Sequence, residues 1–104
     1  MRTLLSLDKP PTAVFAMSDE MAFGALHELQ RQGLSAPDDV AIVGFDDHDI
    51  SEIFGLTTIR QDVEAIGAAA ARMALASVLR TGDQSLFEPE RVVSPTKLIV
   101  RRTS

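Results

Sequence analysis

Two short runs of apolar residues dominate the first half of the chain, and polar side chains follow each of them. Residues 13–17 (AVFAM) precede Ser18, and residues 40–45 (VAIVGF) precede Asp46 and Asp47. An apolar, largely β-branched run without a polar break is typical of a strand covered on both faces, as in parallel sheets. The pattern therefore predicts two buried strands whose carboxyl ends carry polar side chains.

The residues between the two strands have helical spacing. Apolar side chains recur at intervals of three and four positions at Met21, Ala22, Ala25, Leu26 and Leu29. This spacing predicts a helix from residue 19 to about residue 32. Ser18 and Asp19 suit the N-terminal cap, and Gly33 is typical of the position after the last turn. The order strand, helix, strand predicts a βαβ unit with a right-handed crossover.

The second half of the chain continues the alternation of strands and helices. The pattern predicts a short strand at residues 56–60, a long helix at 62–80 with an apolar stripe, and a last strand at 97–101. A single helical turn is expected around residues 50–54, and residues 83–89 form a turn-rich connector after Gly82. Together these elements predict an α/β fold with a mostly parallel sheet and flanking helices.

Composition excludes several classes of function. A chain of 104 residues with 45% hydrophobic residues suits one small domain or part of a larger one. Its net charge of −5 repels phosphate backbones, so we expect no direct contact with nucleic acid. The absence of cysteine removes disulfide and thiolate chemistry and is compatible with the cytoplasm. No apolar run approaches the length of a membrane span, so no membrane partner is expected.

The polar residues after the two strands are the candidate ligand contacts. Because the carboxyl ends of neighbouring parallel strands meet at one edge of a sheet, Ser18, Asp19 and Asp46 are predicted to bind a ligand, with Asp46 foremost. An alternative stays open, in which Ser18 and Asp19 only cap the helix. In that alternative one carboxylate of the Asp46–Asp47 pair caps the following turn and the other is solvated. A phosphoacceptor site of the response-regulator kind is a weaker interpretation, because the acidic pair that it needs on an earlier strand is not in the required order.

No constellation for catalysis is present in the sequence. His27 and His48 stand apart, and neither a glycine-rich phosphate loop nor a nucleophile elbow occurs. We therefore expect no enzymatic activity, no cofactor and no metal. Phe23, at the side of its helix's apolar face, and Phe54, in an acidic loop, are candidates for an interaction surface, although either residue could equally belong to the core.

Three segments in the same order resemble a known family. These segments are PPTAVFAMSDEMAFGALHELQRQGLSAPDDVAIVGFDD (10–47), LTTIRQDVEAIG (56–67) and VVSPTKLIVRRTS (92–104). They are similar to the C-terminal part of the effector-binding core of bacterial transcription regulators of the lactose- and galactose-repressor (LacI/GalR) type. The resemblance implies part of a periplasmic-binding-protein-like (type I) lobe. It also implies that a sugar-like effector contacts Ser18 and Asp46, although the family often has Asn at the position of Ser18.

The resemblance further implies how the chain is organised and what it binds. Residues 1–61 would belong to one subdomain, residues 62–82 would form a long helix of the other lobe, and residues 83–104 would be a connector and a returning last strand. A homodimer or higher homo-oligomer is expected, with Phe23, Ile50 and Phe54 at the dimer interface. DNA would be bound only through a helix-turn-helix outside this chain. The alternative is a fragment of a periplasmic sugar-binding protein that serves a transporter.

Overall fold

The computed structural model describes residues 1–79 and 91–104. The elements in this part of the chain are α1 (Arg2–Leu5), β1 (Ala13–Phe15), α2 (Asp19–Arg31), β2 (Ala41–Asp46), α3 (Ser51–Phe54), β3 (Thr57–Gln61), α4 (Val63–Leu79) and β4 (Thr96–Ile99). The predicted helix end at Arg80 and Gly82 and the predicted connector at 83–89 lie outside the described residues.

The four strands form one sheet in the order β1-β2-β3-β4. Strands β1 and β2 are parallel, with Val14 opposite Ile42, and strands β2 and β3 are also parallel, with Gly44 opposite Thr58. Helix α2 connects the first two strands and completes the predicted βαβ unit. The prediction of an α/β fold with a mostly parallel sheet and flanking helices is confirmed.

The core lies between α2 and one face of the sheet. Its fully buried apolar residues are Ala16, Ala22, Ala25, Leu29, Val40, Ile42 and Leu56. The small alanines of α2 allow the helix to approach the strands closely. Met21, which was predicted to share this face, is 61% exposed. The prediction is wrong for Met21 because successive residues are about 100° apart around a helix. Met21 therefore lies beside the buried face that contains Ala22, not within it.

All four strands end at other residues than the pattern predicted, and β2 and β3 each extend one residue further, to Asp46 and Gln61. β1 ends at Phe15 instead of residue 17, although the amide of Ala16 still donates to the carbonyl of Val43. β4 ends at Ile99 instead of residue 101. The reason is that the amide of Arg101 donates to the hydroxyl of Thr57, while the next two amides, of residues 102 and 103, donate to the carbonyl of Gly55. The tail therefore leaves the regular strand ladder.

The chain divides into two compact units. The first comprises Met1–Arg60 with Lys97–Ser104 and contains the core described above. The second, Gln61–Thr96, contains α4, in which no described residue is buried. Val63 and Val78 on this helix are 71% and 79% exposed. Among the described helices, α4 included, none combines the length and the apolar character that crossing a membrane requires.

Candidate functional site

The parallel pairing of β1 and β2 brings two chain ends to one edge of the sheet. Because Phe15 lies opposite Val43 in this register, the residues that follow each strand leave the sheet at the same edge. Ser18 and Asp19 follow β1 at the start of α2, and Asp46 is the last residue of β2. The candidate site is therefore assembled from a helix N-terminus and a strand end, as open α/β sheets favour.

Ser18 is the N-terminal cap of α2. Its backbone is extended, with φ −151° and ψ 160°, and its Oγ accepts a hydrogen bond of 3.3 Å from the amide of Met21. The carboxyl of Glu20 is held at a pKa below its ordinary value, first by a backbone amide hydrogen bond and then by the Ser18 side chain. The capping role expected for Ser18 is thus present. Its contact with a ligand stays a prediction.

Asp19 follows β1 as predicted, but its side chain does not reach the surface. Its side chain is fully buried and accepts three hydrogen bonds from within the chain. Thr58 Oγ1 donates to Oδ1 over 2.6 Å, while the amide of His48 and the hydroxyl of Ser51 donate to Oδ2 over 2.8 Å and 2.5 Å. With no exposed atom and both oxygens engaged, Asp19 ties α2 to β3 and to the segment after β2. This geometry argues against a direct ligand contact by Asp19 and against a capping role.

Asp46 and Asp47 form a left-handed turn at the end of β2. Their φ angles are 112° and 57°, values that residues other than glycine seldom adopt and that cluster at functional sites. The side chain of Asp46 is exposed at this turn. A carboxylate there can accept hydrogen bonds from the hydroxyl groups of a polar ligand. The structure therefore leaves Asp46 in a position compatible with its predicted role.

Asp47 is an ion-pair partner rather than a solvated or capping residue. Its side chain is 6% exposed, and its oxygens lie 2.5 Å from Arg60 Nε and 2.8 Å from Arg101 Nη2. Burial raises the pKa of the Asp47 carboxyl. The hydrogen bonds and charges of Arg101 and Arg60 outweigh burial, so that the pKa lies below its ordinary value. Since Arg101 also donates to the carbonyl of Leu56, it connects the C-terminal tail to the turn.

Four residues of this network were not singled out in the sequence: Ser51, Thr58, Arg60 and Arg101. A signal for one of them was available in the LTTIR segment, where two threonines sit within a buried strand. Buried hydroxyl groups need hydrogen-bond partners. Thr58, which is fully buried, finds them in the Asp19 carboxylate and in the amide of Asp47. Throughout the described residues, every buried polar side-chain atom has a partner.

The predicted interface residues lie on an aromatic patch, which we define as Phe23, His48, Ile50 and Phe54. The rings of Phe23 and Phe54 are 4.7 Å apart between centroids and inclined by 32°, and His48 meets Phe23 edge-on at 6.2 Å. Ile50 and Phe54 are 39% and 44% exposed. The structure thus brings the two phenylalanines together on the surface. A dimer contact at this patch stays a prediction.

The described residues contain no group of three or more histidine, aspartate or glutamate side chains that could hold a metal ion. What the site presents is the exposed carboxylate of Asp46 on a left-handed turn. The buried Asp19 carboxylate accepts from the amide of His48, directly after this turn, and Arg60 and Arg101 pair with the neighbouring Asp47. This arrangement is suited to binding a polar molecule by hydrogen bonds.

Fold and site together define an α/β domain with polar residues at the carboxyl ends of parallel strands. Residues 1–104 match the family described as periplasmic binding protein-like domain, and the chain belongs to this family.

Similar proteins are transcription regulators of the LacI family. The chain is 35% identical over 105 residues to the HTH-type transcriptional repressor PurR of Actinobacillus pleuropneumoniae serotype 3 (strain JL03), covering 99% of this chain and 31% of the repressor. A LacI transcriptional regulator from a Rhodococcus species superimposes with a TM-score of 0.82 at 35% identity, covering 99% of this chain and 37% of the regulator. A LacI family regulator from Lactobacillus casei with bound sucrose gives 0.76 at 31%, covering 99% and 38%. The chain spans well under half the length of these proteins.

Proposed function

We propose that the chain is the C-terminal part of the effector-binding core of a LacI-type transcription regulator. In that role it senses a small molecule and takes part in dimerisation. The observation that carries the proposal is the left-handed turn of Asp46 at the sheet edge shared with Ser18. The similarity to repressors over nearly the whole chain supports it. DNA binding would come from a helix-turn-helix outside this chain, in accord with its net charge of −5, and the regulator would work in the cytoplasm.

A sugar-like effector fits this edge of the sheet. The hydroxyl groups of a sugar can donate hydrogen bonds to a carboxylate such as that of Asp46. They can both donate to and accept from a serine hydroxyl such as that of Ser18. The similar regulator from Lactobacillus casei was solved with bound sucrose, which supports a sugar-like effector. The alternative, a fragment of a periplasmic sugar-binding protein of a transporter, is less supported because the similar proteins described above regulate transcription.

The regulator that contains this chain allows a direct test by calorimetry with glucose, ribose, sucrose and cellobiose. Asp46→Ala is expected to weaken the tightest of these sugars about ten- to a hundredfold, because hydrogen bonds to charged groups contribute roughly 1.5–3 kcal/mol. Asp49→Ala, which removes an exposed carboxylate three residues later, is the matched control and should bind normally. Equal affinity of the two variants would contradict the role of Asp46. The chain alone should bind these sugars weakly or not at all.

The dimer proposal places the aromatic patch at a subunit contact. Phe23→Ala removes the ring that packs against Phe54, so the dimer should dissociate at concentrations where the unmodified protein is dimeric. Phe15→Ala is the control, because Phe15 is also a partly exposed phenylalanine (55%) but lies on β1. The mass in solution, measured by sedimentation, decides the question. If the Phe23→Ala protein remains a stable dimer, the aromatic patch is not part of the interface.

We also infer that residues 62–82 belong to the second lobe of an intact core, whereas residues 1–61 and the returning strand within 83–104 belong to the first. The exposed apolar residues of α4, among them Val63, Leu75 and Val78, support this inference. Burial of apolar area contributes about 25 cal/mol per Å², so this stripe favours association with a second copy when the chain is alone. Val78→Glu should then reduce self-association measured by light scattering, and an unchanged mass would count against it.

A further inference from the structure

We propose that Asp19 is a positioning residue for Asp46, acting through Thr58 to hold the turn in which Asp46 contacts the effector. The inference rests on the proposed function, because it assigns Asp19 a task in the same site. Asp19 itself is fully buried and cannot touch an effector. Its influence reaches Asp46 through hydrogen bonds to the backbone that follows.

The turn at Asp46 needs such support. Two consecutive residues that are not glycine have positive φ angles, 112° at Asp46 and 57° at Asp47. Residues in this conformation are strained and persist only where the surroundings hold them. Without this conformation the chain would leave β2 in another direction, and the Asp46 carboxylate would point elsewhere.

Two amides directly after Asp46 are bound by the pair of Asp19 and Thr58. The amide of Asp47 donates to Thr58 Oγ1 over 3.3 Å, and the amide of His48 donates to Asp19 Oδ2 over 2.8 Å. The pair is itself joined by the 2.6 Å hydrogen bond from Thr58 Oγ1 to Asp19 Oδ1. Both backbone amides of the turn therefore end on one buried unit.

A carboxylate is required at this place. The amide of His48 is a fixed donor, and the hydroxyl of Thr58 already accepts from Asp47, so its own proton must go to an acceptor. An asparagine would present an NH₂ group to one of these donors and leave a buried group without a partner. Space for the carboxylate exists because Gly44, opposite Thr58 in the register, has no Cβ where Asp19 Oδ1 lies.

The arginines on Asp47 do not replace this support. Arg60 and Arg101 bind the Asp47 carboxylate and fix its side chain. The backbone amides of the turn are instead held by Asp19 and Thr58. Loss of the Thr58 hydroxyl should therefore free the turn even when both ion pairs remain.

The test compares Thr58→Val with Thr103→Val. Both threonines are buried, at 0% and 3% exposure, and each hydroxyl makes two hydrogen bonds. Thr103 Oγ1 donates to the carbonyl of Ile42 and accepts from the amide of Thr57, so it has no contact with the turn. The two substitutions should lower the melting temperature similarly. Only Thr58→Val should weaken the tightest-binding sugar of the panel, by about tenfold or more.

A double variant separates positioning from general destabilisation. If Thr58 acts through Asp46, Thr58→Val should cause no further loss of affinity in the Asp46→Ala background. Thr58→Ser, which keeps the hydroxyl, should retain normal affinity. Should Thr58→Val not fold, Asp19→Asn is measured instead, with the same expected loss. Equal affinities of Thr58→Val and Thr103→Val, or additive losses in the double variant, would overturn the inference.

Hydrogen exchange of the chain makes the two possible failures distinguishable. The amides of Asp47 and His48 should exchange faster in Thr58→Val than in Thr103→Val, whether or not any sugar binds. Faster exchange in a protein that binds none of the sugars would contradict the proposed function, while it would still show that Thr58 supports the turn. Unchanged exchange would remove the positioning role, even if Asp46→Ala weakens sugar binding.

Discussion

Gly44 and Gly24 allow one substitution to be tested in two opposite surroundings. A Cβ added at Gly44 would collide with Asp19 Oδ1 and lie 3.0 Å from Leu56 Cδ2, and both of these side chains are fully buried. A Cβ added at Gly24, within α2, meets nothing within 4 Å. We predict that Gly44→Ala destabilises the fold and that Gly24→Ala stabilises it.

The expected magnitudes follow from these surroundings. Overpacking a core costs about 1–3 kcal/mol, and a hydrogen bond broken when the Asp19 carboxylate is displaced adds about as much, so Gly44→Ala should cost roughly 2–6 kcal/mol. Gly24→Ala should gain about 0.5–1 kcal/mol, because glycine is unfavourable inside a helix. One kcal/mol corresponds to about 4–8 °C in the melting temperature of a small domain. Gly44→Ala should therefore melt about 10 °C lower or more.

Thermal unfolding followed by circular dichroism at one protein concentration measures both effects. Equal concentrations matter because self-association would shift the apparent stability. A Gly44→Ala protein that melts at the temperature of the unmodified chain, or above it, would refute the close approach of Asp19 to β2. A destabilised Gly24→Ala protein would show that α2 is packed differently around this glycine.

Three further outcomes are expected. The pKa of the Asp47 carboxyl is lowered on folding, so the ionised carboxylate stabilises the fold above its unfolded pKa, and this stabilisation is lost as the pH falls through the folded pKa. In urea unfolding, Asp47→Asn should therefore be less stable than the unmodified chain at pH 7 and should lose less stability in acid. An NMR titration should find the pKa of Glu28 at about 2, lowered first by the hydrogen bond from Arg2 and then by that from Gln32, and rising in Arg2→Gln. Ser18→Ala removes the cap hydrogen bond and should lower the melting temperature by an amount equivalent to about 1 kcal/mol. An unchanged melting temperature would contradict this prediction.

The elements of the fold were accessible from the sequence because each rests on local patterns. The apolar runs around Val14 and Ile42 identify buried strands, and the spacing of Ala22, Ala25 and Leu29 identifies α2. Met21 shows the limit of this reasoning, since an apolar residue beside a helix face has the same spacing as one within it. Which flank is covered depends on the sheet, and the sheet lies elsewhere in the sequence.

The site was accessible only in part, because its geometry is made by distant residues. The sequence places Ser18 and Asp46 after two strands, and parallel pairing brings those ends to one edge. The burial of Asp19, however, depends on Ser51 and Thr58, which are 32 and 39 positions away. The partner of Asp47 in the tail, Arg101, is 54 positions away. An acidic residue at a helix start has the same local pattern whether it is exposed or buried.

The burial of Asp19 connects the two surfaces that the proposed function needs. Its Oδ1 binds Thr58 below the turn of Asp46, and its Oδ2 binds both His48 and Ser51. Ser51 begins α3, which ends in Phe54 on the aromatic patch. These hydrogen bonds all end on one planar carboxylate, which is fully buried. If the turn or α3 moves, a buried hydrogen bond must therefore break or the whole carboxylate must move with it. The turn that would contact an effector and the segment that would contact a second subunit are therefore mechanically joined at a single side chain.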